Sequence, residues 1–125
     1  MKFILDEAGG GHAIQHYDRG EFTVSGVVYR ENLLVMPDQV VPRWHDAGFA
    51  ELASGDFQRL AGFAPEIIIL GTGANQHFPA PALTLPLMEA RIGLEVMDTA
   101  AACRTYNILM SEGRRVAAAL LTIEP

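Results

Sequence analysis

The chain is short of the features that most readily announce a chemistry. It has one cysteine, Cys103, so no intramolecular disulfide can form, a four-thiolate zinc site is excluded, and a reducing compartment is expected. Positive charge is scarce. Nine Lys and Arg against fifteen Asp and Glu leave a formal charge of −6, with no basic cluster longer than Arg114-Arg115. A surface of that sign repels a phosphate backbone, so nucleic acid is not an expected partner. Long apolar runs are missing as well. Ile67 to Leu70 and Val116 to Leu121 fall far below the roughly 20 residues of a membrane span, so no membrane insertion is expected. The start, Met1 to Leu5 followed by Asp6-Glu7, is too short for the apolar region of a signal peptide, and the expected location is cytoplasmic.

Repeats, low-complexity tracts and polar linkers are also absent. At 125 residues and 50% hydrophobic content, the chain is expected to fold as one domain over residues 1–125, with Gly9-Gly10-Gly11 marking a flexible start over residues 1–11. Between Ala13 and Met36 it reads as short strands. The run Phe22 to Tyr29 is rich in β-branched and aromatic residues, and Arg30-Glu31-Asn32 connects it tightly to Leu33-Leu34-Val35-Met36, predicting an antiparallel meander. Pro37 and Pro42 bracket an irregular passage, after which Arg43-Trp44 reads as a short edge strand. A helix is predicted from Asp56, as its cap, to Ala61, stopped by Gly62 and Pro65.

From Glu66 onward the pattern changes. Ile67-Ile68-Ile69-Leu70 has no polar alternation, as a strand covered on both faces requires. A helix over about residues 82–91, with Pro86 in its first turn, leads to a strand over Ile92 to Met97. Asp98 then caps a longer helix in which Ala102, Tyr106 and Leu109 recur at three- and four-residue steps up to Gly113, and Val116 to Leu121 is the last strand. Alternating strands and helices with short loops predict a parallel βαβαβ half, because parallel neighbours need crossovers. The fold class is therefore α/β: N-terminal antiparallel strands followed by a mixed sheet with a parallel C-terminal half.

In such sheets ligands gather at the carboxyl ends of the strands. That edge holds Gly71-Thr72-Gly73 after one strand and Asp98-Thr99 after the next. The two glycines permit a sharp turn that presents N–H groups to an anion, and Arg104 and Asn107 lie three apart on the following helix. Gly71, Thr72, Gly73, Asp98, Thr99, Arg104 and Asn107 are thus the candidate ligand-binding residues, for a small anion. The same residues have structural readings. The glycines serve a tight turn and close packing, Asp98 is a helix cap, and Arg104 and Asn107 occupy a solvated helix face. Gln76 stands where a dinucleotide fingerprint needs a small residue, and the lysine of a phosphate loop is absent. Cys103 has no adjacent base. Of His12, His16, His45 and His77, only the first two are spaced i,i+4, and four strand residues span roughly 13 Å, so no metal site and no cofactor are expected.

Several segments together resemble a family of small domains of unknown function: Val24-Ser25-Gly26, Pro37 to Trp44, Glu66 to Gly73, Glu95 to Thr99, Ala102 to Asn107 and Glu112 to Val116. The family includes a mitochondrial assembly factor for respiratory complex I and an adipogenesis-associated vertebrate protein. The resemblance runs from about His12 to Leu121. It implies a three-layer β/α/β-type fold with a mixed central sheet, no established enzymatic activity, and signature positions at Gly71 to Gly73 and Arg104-Thr105-Tyr106-Asn107. Two functions are expected from these readings: a non-catalytic interaction or assembly module with a protein partner, or a binder or enzyme for a small anionic molecule at the Gly-Thr-Gly loop.

Overall fold

A computed structural model describes residues 11–124, so the expected flexible start, Gly11 apart, lies outside the described residues. The first three strands, β1 (Ile14–Asp18), β2 (Glu21–Val24) and β3 (Val27–Tyr29), form a small antiparallel sheet in that order. In β2 the side chains alternate, Phe22 and Val24 being fully buried while Glu21 and Thr23 are half-buried, as a strand with one covered face requires. The Phe22-to-Tyr29 run folds back on itself at Ser25-Gly26. Both residues have positive φ (50° and 80°), the mirror-image turn whose twist matches a hairpin.

The meander does not continue into β4 (Leu33–Met36). All four residues of β4 are buried, which suits an interior strand, and β4 joins a second sheet of order β5-β4-β8-β6-β7. Here β5 is Gln39–Pro42, β6 Ile67–Thr72, β7 Gly93–Met97 and β8 Val116–Leu121. The bracketed passage after Pro37 is therefore an edge strand, hairpinned to β4. Pro42 is tolerated because an edge strand has one unpaired side. Arg43, at φ 56°, turns the chain out of the sheet instead of extending it. The three C-terminal strands lie together as expected, β6 pairing in parallel with both β7 and β8, while β4 runs antiparallel to β8.

Three α-helices cover this mixed sheet: α1 (Ser54–Gly62), α2 (Leu85–Glu89, after a 3-10 turn at Pro81–Thr84) and α3 (Thr99–Ser111). The helix predicted with Asp56 as its cap begins three residues earlier. Ala53 occupies the cap position, and Asp56 reaches back from the third helical position to accept the Ala53 N–H at 2.9 Å. The helix predicted over residues 82–91 is shorter, with Pro86 in its first turn. The step from β6 to β7 moves outward and the step from β7 to β8 returns across β6. Crossovers of one hand then place α2 and α3 on opposite faces. On one face Phe57 and Leu60 of α1 and Leu87 of α2 pack on Leu34, Ile68, Leu70 and Ala119. On the other, Ala102, Cys103 and Tyr106 of α3 share a core with Ile69, Ala118 and Leu120 and with Ile14, Phe22 and Val24 of the small sheet.

Candidate functional site

At the carboxyl end of β6 the chain is drawn tight against α3. A β-carbon on Gly71 would stand 3.0 Å from Thr99 Oγ1, 3.1 Å from Ala102 Cβ and 3.1 Å from Leu120 Cδ2, so the glycine permits helix and sheet to touch. Gly73 turns the chain with φ 96°. Its N–H donates to Thr99 Oγ1 at 2.8 Å and its carbonyl accepts the Thr99 N–H at 2.8 Å. The Thr99 hydroxyl, fully buried, in turn donates to Leu121 O at 2.7 Å. Thr72 Oγ1 donates to Asn75 O at 2.6 Å and accepts the His77 N–H at 3.1 Å, while Asp98 caps α3 by accepting the Ala101 N–H at 2.9 Å. Gly71, Thr72, Gly73, Asp98 and Thr99 thus form one knot tying β6, β8 and the start of α3.

Arg104 and Asn107 face elsewhere. Asn107 accepts the Ile14 N–H and donates to Ile14 O, both at 2.9 Å, acting as one rung of a β-ladder along the edge of β1. Arg104 Nη1 donates to Tyr17 OH at 2.7 Å, and Tyr106 OH donates to His12 O at 2.7 Å. The helix positions singled out in the sequence therefore dock the small sheet on α3. Cys103 lies on the same helix, where burial pushes its thiol up to about 12, far from the range of a nucleophilic thiolate.

A polar centre that the sequence does not reveal sits on the opposite face of the large sheet. His45 and Asp56, both buried, approach to 3.3 Å between Nδ1 and Oδ1, while His45 Nε2 lies 3.0 Å from Gly48 O. Arg59 Nη2 donates to Asp56 Oδ1 at 2.6 Å and to Trp44 O at 2.9 Å. Burial alone would raise Asp56. The Ala53 N–H, the Arg59 guanidinium and His45 together outweigh it and hold this carboxyl below its usual range. Asn32 completes the assembly, donating to His45 O and Ala47 O at 2.8 Å each and accepting the Thr122 N–H at 2.9 Å. The Asp56–Arg59 spacing was the only local signal; His45 joins through a loop that sequence spacing does not specify.

The fold and its internal polar knots define a small mixed α/β domain with an antiparallel sheet beside a partly parallel one. It is similar to the solution structure of a Bordetella pertussis protein, an Mth938-like domain, with a TM-score of 0.84 and 32% identity, covering 99% of this chain and 94% of that one. The family model described as "Protein of unknown function (DUF498/DUF598)" matches residues 14–121, and the chain belongs to that family. An uncharacterized protein of Rhodobacter capsulatus is 40% identical over 113 residues, covering 90% of this chain and 86% of that protein. NADH dehydrogenase (ubiquinone) 1 alpha subcomplex assembly factor 3 of Danio rerio is 30% identical over 123 residues, covering 97% of this chain and 70% of that protein. Among the described residues, no helix is long and apolar enough to cross a membrane.

Proposed function

We propose that this chain is a non-catalytic interaction module that helps assemble or stabilise a larger complex. The observation that carries the reading is where side chains are spent. Thr72, Thr99, Asp98 and Asn107 make internal hydrogen bonds, whereas large apolar side chains of the β6–β7 connection are left on the surface: Phe78 is 71% exposed, Leu85 49% and Met88 66%. β7, which this connection enters, is an edge strand, and apolar surface beside an open edge favours a protein partner. The likeness to a complex I assembly factor points the same way. In this reading the chain acts as one domain in the cytoplasm, which cell fractionation tests. Affinity capture from native extract is expected to recover a stoichiometric partner, and the Leu85→Asp/Met88→Asp variant is expected to lose it with an unchanged melting temperature. Capture of bait alone in repeated extracts refutes the module.

A second reading, a small-anion site at the Gly-Thr-Gly loop, is favoured by one observation. The backbone N–H groups of Ala74, Asn75 and Gln76 find no acceptor among the described residues, and a 240 Å³ recess adjoins Ala74 and Asn75. In this reading Gly71, Thr72 and Gly73 shape the turn and Asp98 and Thr99 brace it, while Glu124 in the same recess opposes a negative guest. Thermal-shift titration with phosphate and citrate tests it. Stabilisation that disappears in Ala74→Pro supports the site, and no stabilisation of the wild-type chain removes it.

A further inference from the structure

We propose that the cleft between α1 and the segment following β5 binds a small molecule with an apolar body and a single oxyanion head, gripped by Arg59 and assisted by Arg43. The cleft measures 690 Å³, within the range of small-molecule sites. Its floor is Leu34 and Leu60, which are almost fully buried, and Phe63, 38% exposed, stands at its edge. This site is distinct from the Gly-Thr-Gly loop and from the apolar surface of the β6–β7 connection, and it does not depend on either reading above.

Both guanidinium groups are held by internal hydrogen bonds. Arg59 is already fixed by one edge, since Nη2 donates to both Trp44 O and Asp56 Oδ1. Its Nε–H and Nη1–H groups have no acceptor among the described residues, although the side chain lines the cleft. Arg43 repeats the pattern. Its Nε donates to Glu31 Oε2 at 2.8 Å, and its two terminal nitrogens are without an acceptor among the described residues. Arg59, held at Nη2 by two acceptors, has given up part of its side-chain entropy before a ligand arrives and keeps Nε–H and Nη1–H as separate donors, while Arg43, more exposed and held by one bond, keeps the end-on pair of terminal nitrogens that fits a carboxylate or phosphate.

Carboxylates in the same cleft decide the division of labour. Both oxygens of Asp56 are engaged, Oδ2 by the Ala53 N–H and Oδ1 by Arg59 and His45, and Glu51 Oε1 accepts the Gly48 N–H at 3.0 Å. Among the described residues Asp46 accepts no such bond; the charge on Arg43 is favoured first by Glu31, to which it donates, and least by Asp46. Glu31 and, more weakly, Asp46 therefore compete with a ligand for Arg43 and leave Arg59 as the principal donor. The apolar floor then selects an oxyanion carrying a hydrocarbon portion over a free inorganic ion.

Amide-shift NMR titration of the full chain with octanoate and octyl phosphate tests the proposal, with octanol and octylamine as controls. Octanoate or octyl phosphate, whichever head group the cleft prefers, is expected to shift the amides of Trp44, Ala47, Leu60 and Phe63 saturably, with a Kd on the order of 1 mM. Arg59→Gln is expected to weaken binding about tenfold, by loss of a charge-assisted hydrogen bond. Arg59 also braces Asp56, so a second variant avoids dependence on a folded Arg59→Gln. Asp46→Asn, which removes only a competing charge, is expected to tighten binding about threefold. The proposal is overturned by absence of saturation up to about 10 mM, by shifts centred elsewhere, by equal binding of octanol or octylamine, or by unchanged affinity in Asp46→Asn.

Discussion

Gly71 and Thr99 show how a residue that looks like ligand chemistry can be a packing device. Gly71→Ala would place a methyl group against Ala102 and Leu120 on two elements that cannot both retreat, and is expected to cost about 1–3 kcal/mol. Gly62→Ala, where an added β-carbon meets nothing within 4 Å at the end of α1, is expected to be neutral or stabilising by a few tenths of a kcal/mol. Chemical denaturation of the pair checks both. The loop and its reading as a tight, closely packed turn were legible in the sequence, but the partner that fixes it was not. The acceptor for the Gly73 N–H is a hydroxyl 26 residues away, and glycine spacing carries no trace of it. Asp56 invites a pH test. Its carboxyl lies below its usual range when folded, so its contribution is complete above the unfolded value of about 3.9 and is lost as pH falls through the folded one. Asp56→Asn is expected to be less stable than wild type by about 2 kcal/mol near neutral pH. The gap between the two denaturation curves is expected to close progressively as pH falls below about 4, and a gap constant down to pH 2 contradicts the assignment.

At the scale of elements, the clearest helix was readable from end to end, because its signals are local: the Asp98 cap, the three- and four-residue apolar steps, and Gly113 at φ 81°. The N-terminal strands were readable as an antiparallel set, but not the position of the hairpin within them or the sheet that β4 joins. Ser25-Gly26 lies inside one apolar run, and the choice of β4 between two sheets is settled by burial against β8, far along the chain. Docking of β1 on α3 belongs to the same class of fact. Asn107 meets Ile14 across 93 residues, and the sequence offered a polar helix face without its counterpart. Since Asn107 supplies both partners of the Ile14 peptide groups, Asn107→Ala leaves a donor and an acceptor unmatched in a buried place, at a cost of about 2–4 kcal/mol. The loss is expected to be local. Amide exchange at Ile14 is expected to accelerate well beyond the acceleration at Ile69 in β6, and equal acceleration at both contradicts a clamp acting on β1.

For the molecule as a whole, the decisive fact is that the last strand in sequence lies at the centre of the large sheet. β8 stands between β4 and β6, with all six of its residues buried and its alanines admitting the helices on both faces. Until it arrives, β4 has only the edge strand β5 beside it, and β6 has only β7. The N-terminal and C-terminal halves are therefore joined by contacts distant in sequence, which form late and reward the chain only when the loop between them has closed. A chain ending at Arg115 is thus expected to show no cooperative thermal transition by circular dichroism and to bind a hydrophobic dye, as a collapsed state with unfixed packing does. A chain ending at Thr122 keeps β8 and is expected to melt cooperatively. Among the described residues it loses the exposed Glu124 carboxylate that accepts from Thr122 Oγ1 at 3.4 Å and the Ile123 carbonyl that accepts the Gly20 N–H at 2.8 Å, and with the latter the tether holding the β1–β2 turn to the end of the large sheet. Faster exchange confined to the amides around Gly20 is the expected signature. A cooperative transition in the chain ending at Arg115 would mean that β4 and β6 can be held together without the strand between them, against everything the pairing requires.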